Sequence, residues 1–173
     1  VPGIEIDHRR IMTSDAAIHL PELPRSLVIL GGGAVGVEFA SIYRRFGSEV
    51  TIVELLPRLV AAEDEAISTQ LEKSFKKQGI RLLTGSKMTK ATADAAGVNI
   101  EVQTPDGKTQ ILTAEILLVA TGRGPVTSGL GAEALGMRME GGYIHVDSMY
   151  RTSVPNIAAI GDVIAIDGRV HPQ

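Results

Sequence analysis

Two groups of residues have the types and spacing to do chemistry. The first is Gly31-Gly32-Gly33-Ala34-Val35-Gly36, and the second is the lone acid Glu54, which ends the apolar run Val50-Thr51-Ile52-Val53. Gly31 lets the chain turn sharply, and Gly33 presents bare backbone to which a pyrophosphate can come close. Gly36 lets a following helix pack tightly on its sheet. A helix opening at Gly33 offers unpaired N–H groups and a partial positive charge, which suits two phosphates. A carboxylate about 20 residues further on can accept hydrogen bonds from both hydroxyls of an adenosine ribose, and it would repel a 2′-phosphate. The chemistry expected here is therefore binding of a dinucleotide, NAD rather than NADP.

Such a site needs a strand before the glycines, a helix after them and a strand before the acid. Ser26-Leu27-Val28-Ile29-Leu30 supplies the first strand, and Val35, Phe39, Ile42 and Phe46 recur at helical spacing up to Gly47. A second helix is expected from about Glu63 to Gln78, with Ala66, Ile67, Leu71 and Phe75 as its apolar stripe. Glu63, Asp64 and Glu65 at its start and Lys73, Lys76 and Lys77 toward its end complement the helix dipole, and Gly79 stops it. Ile80-Arg81-Leu82-Leu83 completes a β-α-β-α-β half. Short alternating strands then replace helices, near Lys87–Thr92, Val98–Thr104 and Thr109–Thr113, with a hairpin turn at Pro105-Asp106-Gly107-Lys108. Glu115 to Ala120 is continuously apolar after its first residue, as a central parallel strand should be. The turn that follows, Thr121-Gly122-Arg123-Gly124-Pro125, should line the ligand cleft, because ligands of open parallel sheets sit beyond the carboxyl ends of strands. The fold expected is α/β, a Rossmann-like parallel sheet with helices and an antiparallel meander as one crossover.

The flanks are less regular. Residues 1–24 read as an irregular lead-in, with a helical turn near Asp15 to Leu20. Ser128 to Glu140 reads as Gly-rich loop, Tyr143 to Asp147 as a short strand, Ile157 to Ile160 as a last apolar strand and Asp167-Gly168 as a turn. The 173 residues allow one domain with a real core, and a net charge of −3 leaves no basic footprint for nucleic acid. No apolar run reaches the roughly 18 residues of a membrane span. The chain has no cysteine, which removes disulfides, thiolate metal sites and a cysteine nucleophile. His8, His19, His145 and His171 stand apart from one another, so no metal site is expected. A cytoplasmic location is the default expectation. The first residue is Val1, which suggests a segment of something longer.

Together, Gly31 to Glu38, Glu49 to Glu54, Ala120-Thr121-Gly122-Arg123 and Ala158-Ala159-Ile160-Gly161-Asp162-Val163 resemble the pyridine nucleotide-disulfide oxidoreductases, and within them the dihydrolipoamide dehydrogenase branch. The resemblance implies the central NAD-binding domain, residues 25–150, of a longer homodimeric flavoprotein. Residues 1–24 would lead in from its FAD domain and 151–173 return to it, and a C-terminal dimerisation domain would follow. It further implies that Gly31, Gly32, Gly33, Ala34, Val35 and Gly36 hold the pyrophosphate, that Glu38 reaches toward the nicotinamide, and that Glu54 holds the ribose. Met88 would pack near the adenine or belong to the core. Gly122 and Arg123 would lie at the nicotinamide end, and Asp162 would bind the flavin's ribityl chain. After Arg123 the sequence departs from the family's usual Pro-Asn. The parent would pass electrons between a dithiol/disulfide, FAD and NAD. This chain carries no redox cysteines and is expected to bind NAD(H) without turnover. A mercuric reductase or NADH oxidase type of parent, and a free-standing NAD module, stay open as alternatives.

Overall fold

The computed structural model describes residues 4–166 and the backbone of 169–170. The expected turn at Asp167-Gly168, the position of His171 and the first three residues lie outside the described part. The chain divides into two compact units between Gly122 and Arg123.

The first unit is built on a five-stranded parallel sheet. Its strands are β1 (Ile11–Thr13), β2 (Ser26–Leu30), β3 (Glu49–Val53), β4 (Arg81–Leu83) and β8 (Ile116–Val119), in the order β1-β8-β2-β3-β4. A short helix α1 (Ser14–Ala17) follows β1, α2 (Ala34–Phe46) joins β2 to β3, and α3 (Glu65–Lys77) joins β3 to β4. The meander is an antiparallel sheet of β5 (Lys87–Ala93), β6 (Val98–Gln103) and β7 (Thr109–Ala114), close to its expected limits. Side chains alternate across β2. Leu27 and Ile29 join one core with Ala40, Tyr43, Ile52 and Phe75, whereas Val28 and Leu30 join a second with Ile100, Val102 and Leu117. The sheet thus buries both faces, one under helices and one under the meander, which is why β2 and β8 read as continuous apolar runs.

Capping follows the charge pattern. The Asp64 side chain accepts a hydrogen bond from the Ala66 N–H at 2.8 Å, and Gly47 closes α2 with φ of +108°.

Four expectations are corrected. The lead-in is not wholly irregular, because Ile11–Thr13 adds a parallel edge strand beside β8. Its turn is organised by Asp7, whose Oδ1 accepts from the N–H groups of Arg9, Arg10 and Ile11 at 2.8 Å each. The buried face of α2 is Gly36, Ala40 and Tyr43, and Phe46 of the expected stripe is 69% exposed. Gly36 brings the start of the helix close to the β2 turn, and the face that continues from it carries Ala40 and Tyr43, leaving Ile42 and Phe46 outside. In α3, Ser68 and Phe75 are buried while Ile67 is 61% exposed. Finally, Ile157–Ile160 is no strand. Ala158 makes a single bridge to Arg151, Ile160 is 73% exposed, and the strand falls instead at Ile164–Ile166.

The second unit holds a four-stranded sheet of β9 (Met139–Glu140), β10 (Tyr143–Val146), β11 (Ile164–Ile166) and β12 (Arg169–Val170), in the order β12-β11-β10-β9. Ile144, Val146 and Ile164 form its small core.

Candidate functional site

Strand register sets the site. Leu30 pairs with Val53 and Val119, and Val53 pairs with Leu83, so four strands of the first unit end in one row. Gly31, Glu54 and Ala120 therefore leave the sheet at the same level, at its carboxyl edge.

Gly31 has φ of +112°, and a Cβ on it would lie 2.3 Å from the Ala120 carbonyl oxygen. Both the backbone angle and the space require glycine. A Cβ on Gly36 would lie 2.0 Å from the Gly31 carbonyl oxygen, so the first turn of α2 is pressed onto the turn that precedes it. Gly33 differs from both. It is exposed, and a Cβ there would meet no protein atom within 4 Å. The space over Gly33 is open to a ligand.

Gly33 is also the N-cap of α2 and has no side chain with which to cap it. The first intrahelical hydrogen bond runs from the Val37 N–H to the Gly33 carbonyl at 3.0 Å. The N–H groups of Ala34, Val35 and Gly36 precede it and point out of the helix end. An exposed glycine, a 13-residue helix and unspent donors together form a cradle for an anion.

Glu54 stands beside this cradle, half-buried. Its Oε2 accepts the Gly32 N–H at 2.5 Å and its Oε1 accepts the Leu56 N–H at 2.7 Å. Its backbone is fixed too, since its N–H donates to the Leu83 carbonyl and its own carbonyl accepts from the Ser86 N–H. An ionised carboxylate has about four acceptor sites, so two remain for hydroxyl donors of a ligand. The glycine turn and the acid are thus joined by a hydrogen bond.

The other expected residues are distributed as follows. Glu38 is exposed one turn into α2, on the same face as Ala34, rather than in the helix's first turn. Met88 is buried in the cluster that holds Leu30, Val53 and Val102, which makes it a core methionine. Gly122 is exposed with φ of +143°, at the end of the first unit. Arg123 and Asp162 are exposed in the second unit, Asp162 in the turn that precedes β11. Two hollows of about 290 and 540 Å³ open toward the amino ends of the strands, around Glu115 and around Arg81, away from the glycine turn.

Sequence reasoning missed the loop after Glu54. Leu59 is fully buried against Gly32, and the Val60 N–H donates to the Gly32 carbonyl at 2.7 Å. The Leu59 N–H donates to Glu72 of α3. The one signal pointing there was the apolar run Leu59-Val60-Ala61-Ala62 behind Pro57-Arg58.

The family described as pyridine nucleotide-disulphide oxidoreductase matches residues 1–173. The chain belongs to that family. Among its relatives, dihydrolipoyl dehydrogenase of Chlorobaculum tepidum is 44% identical over 163 residues, which are 94% of this chain and 35% of that protein. Dihydrolipoamide dehydrogenase of Chaetomium thermophilum is 42% identical over 93% of this chain and 32% of that protein. Among solved structures, LpdA of Mycobacterium tuberculosis superposes with a TM-score of 0.83 at 33% identity, over 95% of this chain and 35% of that one. The HOCl-induced flavoprotein disulfide reductase RclA of Escherichia coli, in a copper(II) complex, gives 0.77 at 33% identity, over 94% of this chain and 35% of that one. The mixed α/β fold is the one those disulfide reductases share. The chain spans about a third of the length of the family members it matches.

Proposed function

We propose that this chain is the NAD(H)-binding domain of a dihydrolipoyl dehydrogenase-like flavoprotein. The observation that carries the proposal is the pairing of an open anion cradle at Gly33 with a carboxylate fixed beside it at Glu54. The cradle suits the pyrophosphate, and Glu54 suits the two hydroxyls of the adenosine ribose. Its charge disfavours a 2′-phosphate, so NAD(H) is the preferred nucleotide. Glu38, on the Ala34 face of α2, is assigned to the nicotinamide side together with Gly122. Met88 is left to the core.

In a longer parent the flavin would supply the hydride chemistry, with Asp162 assigned to hold it, and a dithiol/disulfide would be the other redox partner. The chain contains no cysteine, so those thiols must come from outside it. By itself it binds NADH and does not turn over lipoamide. Parallel calorimetric titrations with NADH and NADPH test this. Tighter binding of NADH is expected, and a preference for NADPH would overturn the assignment of Glu54.

A further inference from the structure

We infer that Val60 is a positioning residue of the nucleotide site, which turns the Gly32–Gly33 peptide so that the Gly33 N–H joins the donors of the first turn of α2. The inference rests on the nucleotide reading above and adds to it a residue that touches no ligand. Val60 is β-branched and has φ of +42°. A side chain of that shape is rarely found at such an angle, and a conformation held against strain points to a task. The hold is visible on both sides of the residue. The Val60 carbonyl accepts from the Glu63 N–H at 2.8 Å and from the Ser68 hydroxyl at 3.4 Å, and the Leu59 N–H donates to Glu72 at 3.0 Å. Ser68 and Glu72 are an i, i+4 pair on one face of α3. Ser68 is buried, and the Val60 carbonyl is the loop acceptor its hydroxyl finds there.

What the strained residue sets is the direction of one N–H. The Val60 N–H donates to the Gly32 carbonyl at 2.7 Å. That bond completes a series, in which successive peptides of the glycine turn are held from the β3 side. The Gly31 N–H goes to the Val53 carbonyl at 2.9 Å, the Gly32 N–H to Glu54, and the Gly32 carbonyl to Val60. A trans peptide is planar, so its N–H points opposite to its carbonyl. With the Gly32 carbonyl turned toward Val60, the Gly33 N–H is turned away from the loop, and it meets no acceptor among the described residues. Gly33 is exposed, and the unspent donors of Ala34, Val35 and Gly36 follow it. The contact uses backbone alone on both sides, so it asks nothing of the residue type at position 32. Of position 60 it asks an N–H and a left-handed φ.

The experiment compares ADP with adenosine on the whole chain, for the wild type, Val60→Gly, Val60→Ala and a chain in which the α-hydroxy acid of valine replaces Val60. The last keeps the side chain and puts an ester oxygen where the N–H was. The readout is the ratio of the two dissociation constants. A partly unfolded variant weakens both apparent affinities by the same factor, so the ratio survives a loss of stability. In the ester chain ADP affinity is expected to fall roughly tenfold while adenosine affinity holds, so the preference for ADP shrinks by that factor. Val60→Gly keeps the N–H and takes a left-handed φ without strain, so it is expected to keep the wild-type ratio. Its urea midpoint is expected to lie above that of Val60→Ala, the reverse of their order at an ordinary φ. An ester chain that keeps the wild-type ratio overturns the inference, and so does a Val60→Gly chain that loses it. A Val60→Ala midpoint above that of Val60→Gly overturns the strained conformation on which the inference stands. A wild type that binds neither probe overturns the nucleotide reading itself, which separates the two failures.

Discussion

Two carboxylates stand at opposite ends of the same sheet, and each accepts two hydrogen bonds. Glu115, just before β8, takes both of its bonds from one residue, the backbone N–H and the Nε of Arg25, each at 2.8 Å. Glu54, just after β3, takes both from neutral backbone N–H groups, those of Gly32 and Leu56. Glu115 is neutralised by a cation, and its work is to join the segment before β2 to the start of β8. Glu54 has no cation within ion-pair distance among the described residues. It is oriented without being neutralised. Such a group keeps two acceptor sites for something that is not protein, beside a helix end whose donors are likewise unspent. The same side chain is thus structural at one end and receptive at the other, and the difference lies in what holds it.

The comparison breaks most completely if the receptive end is destroyed. Gly31→Ala adds a Cβ that meets the Ala120 carbonyl at 2.3 Å in a backbone conformation that disfavours it. A loss of about 3 kcal/mol or more is expected, read as a drop in the urea midpoint. Glu54→Gln comes next. NADH affinity should fall roughly tenfold, because the amide end turns an acceptor into a donor that faces backbone N–H groups, and the charge is lost. Glu115→Gln sharpens the contrast. It should lower stability by at most about 1 kcal/mol and leave NADH affinity unchanged in the same titration.

The smallest effect is a pH dependence. The backbone N–H of Arg25, then its side chain, holds the Glu115 carboxyl below its ordinary value. A group whose folded value is depressed contributes its stability above the unfolded value and loses it as pH falls through the folded one. Glu115→Gln should therefore remove part of the acid sensitivity of the urea midpoint below the ordinary carboxylate range. Near neutrality the small loss of stability should stay constant with pH.

Much of this was legible from residues whose local chemistry and global role agree. The β2-turn-α2 unit, the meander with its Pro105-Asp106-Gly107-Lys108 turn and the place of Glu54 all follow from apolar period, turn residues and caps. The buried faces of the two long helices were less legible. Of the stripe Val35, Phe39, Ile42 and Phe46, Phe39 packs against the core, but Ile42 and Phe46 lie outside while Gly36, Ala40 and Tyr43 are buried. In α3 the buried positions are Ser68 and Phe75, and Ile67 lies outside. At the site, Gly31 and Gly36 were readable because a Cβ at either would run into backbone. The clasp of Leu59 and Val60 on Gly32 was not, since it consists of a backbone hydrogen bond and a packing contact that leave no mark on residue type. In the lead-in, β1 is three residues long and Met12 is its only member in the helix-side core, too little for a periodic signal.

The most direct test is an amide chemical-shift titration of the isotope-labelled chain with NADH. The account predicts that the largest changes centre on Gly32 to Gly36 and on Leu56, whose N–H groups form the cradle and hold Glu54. Changes centred instead on the hollow around Arg44 and Arg81, or no changes at saturating NADH, would contradict it.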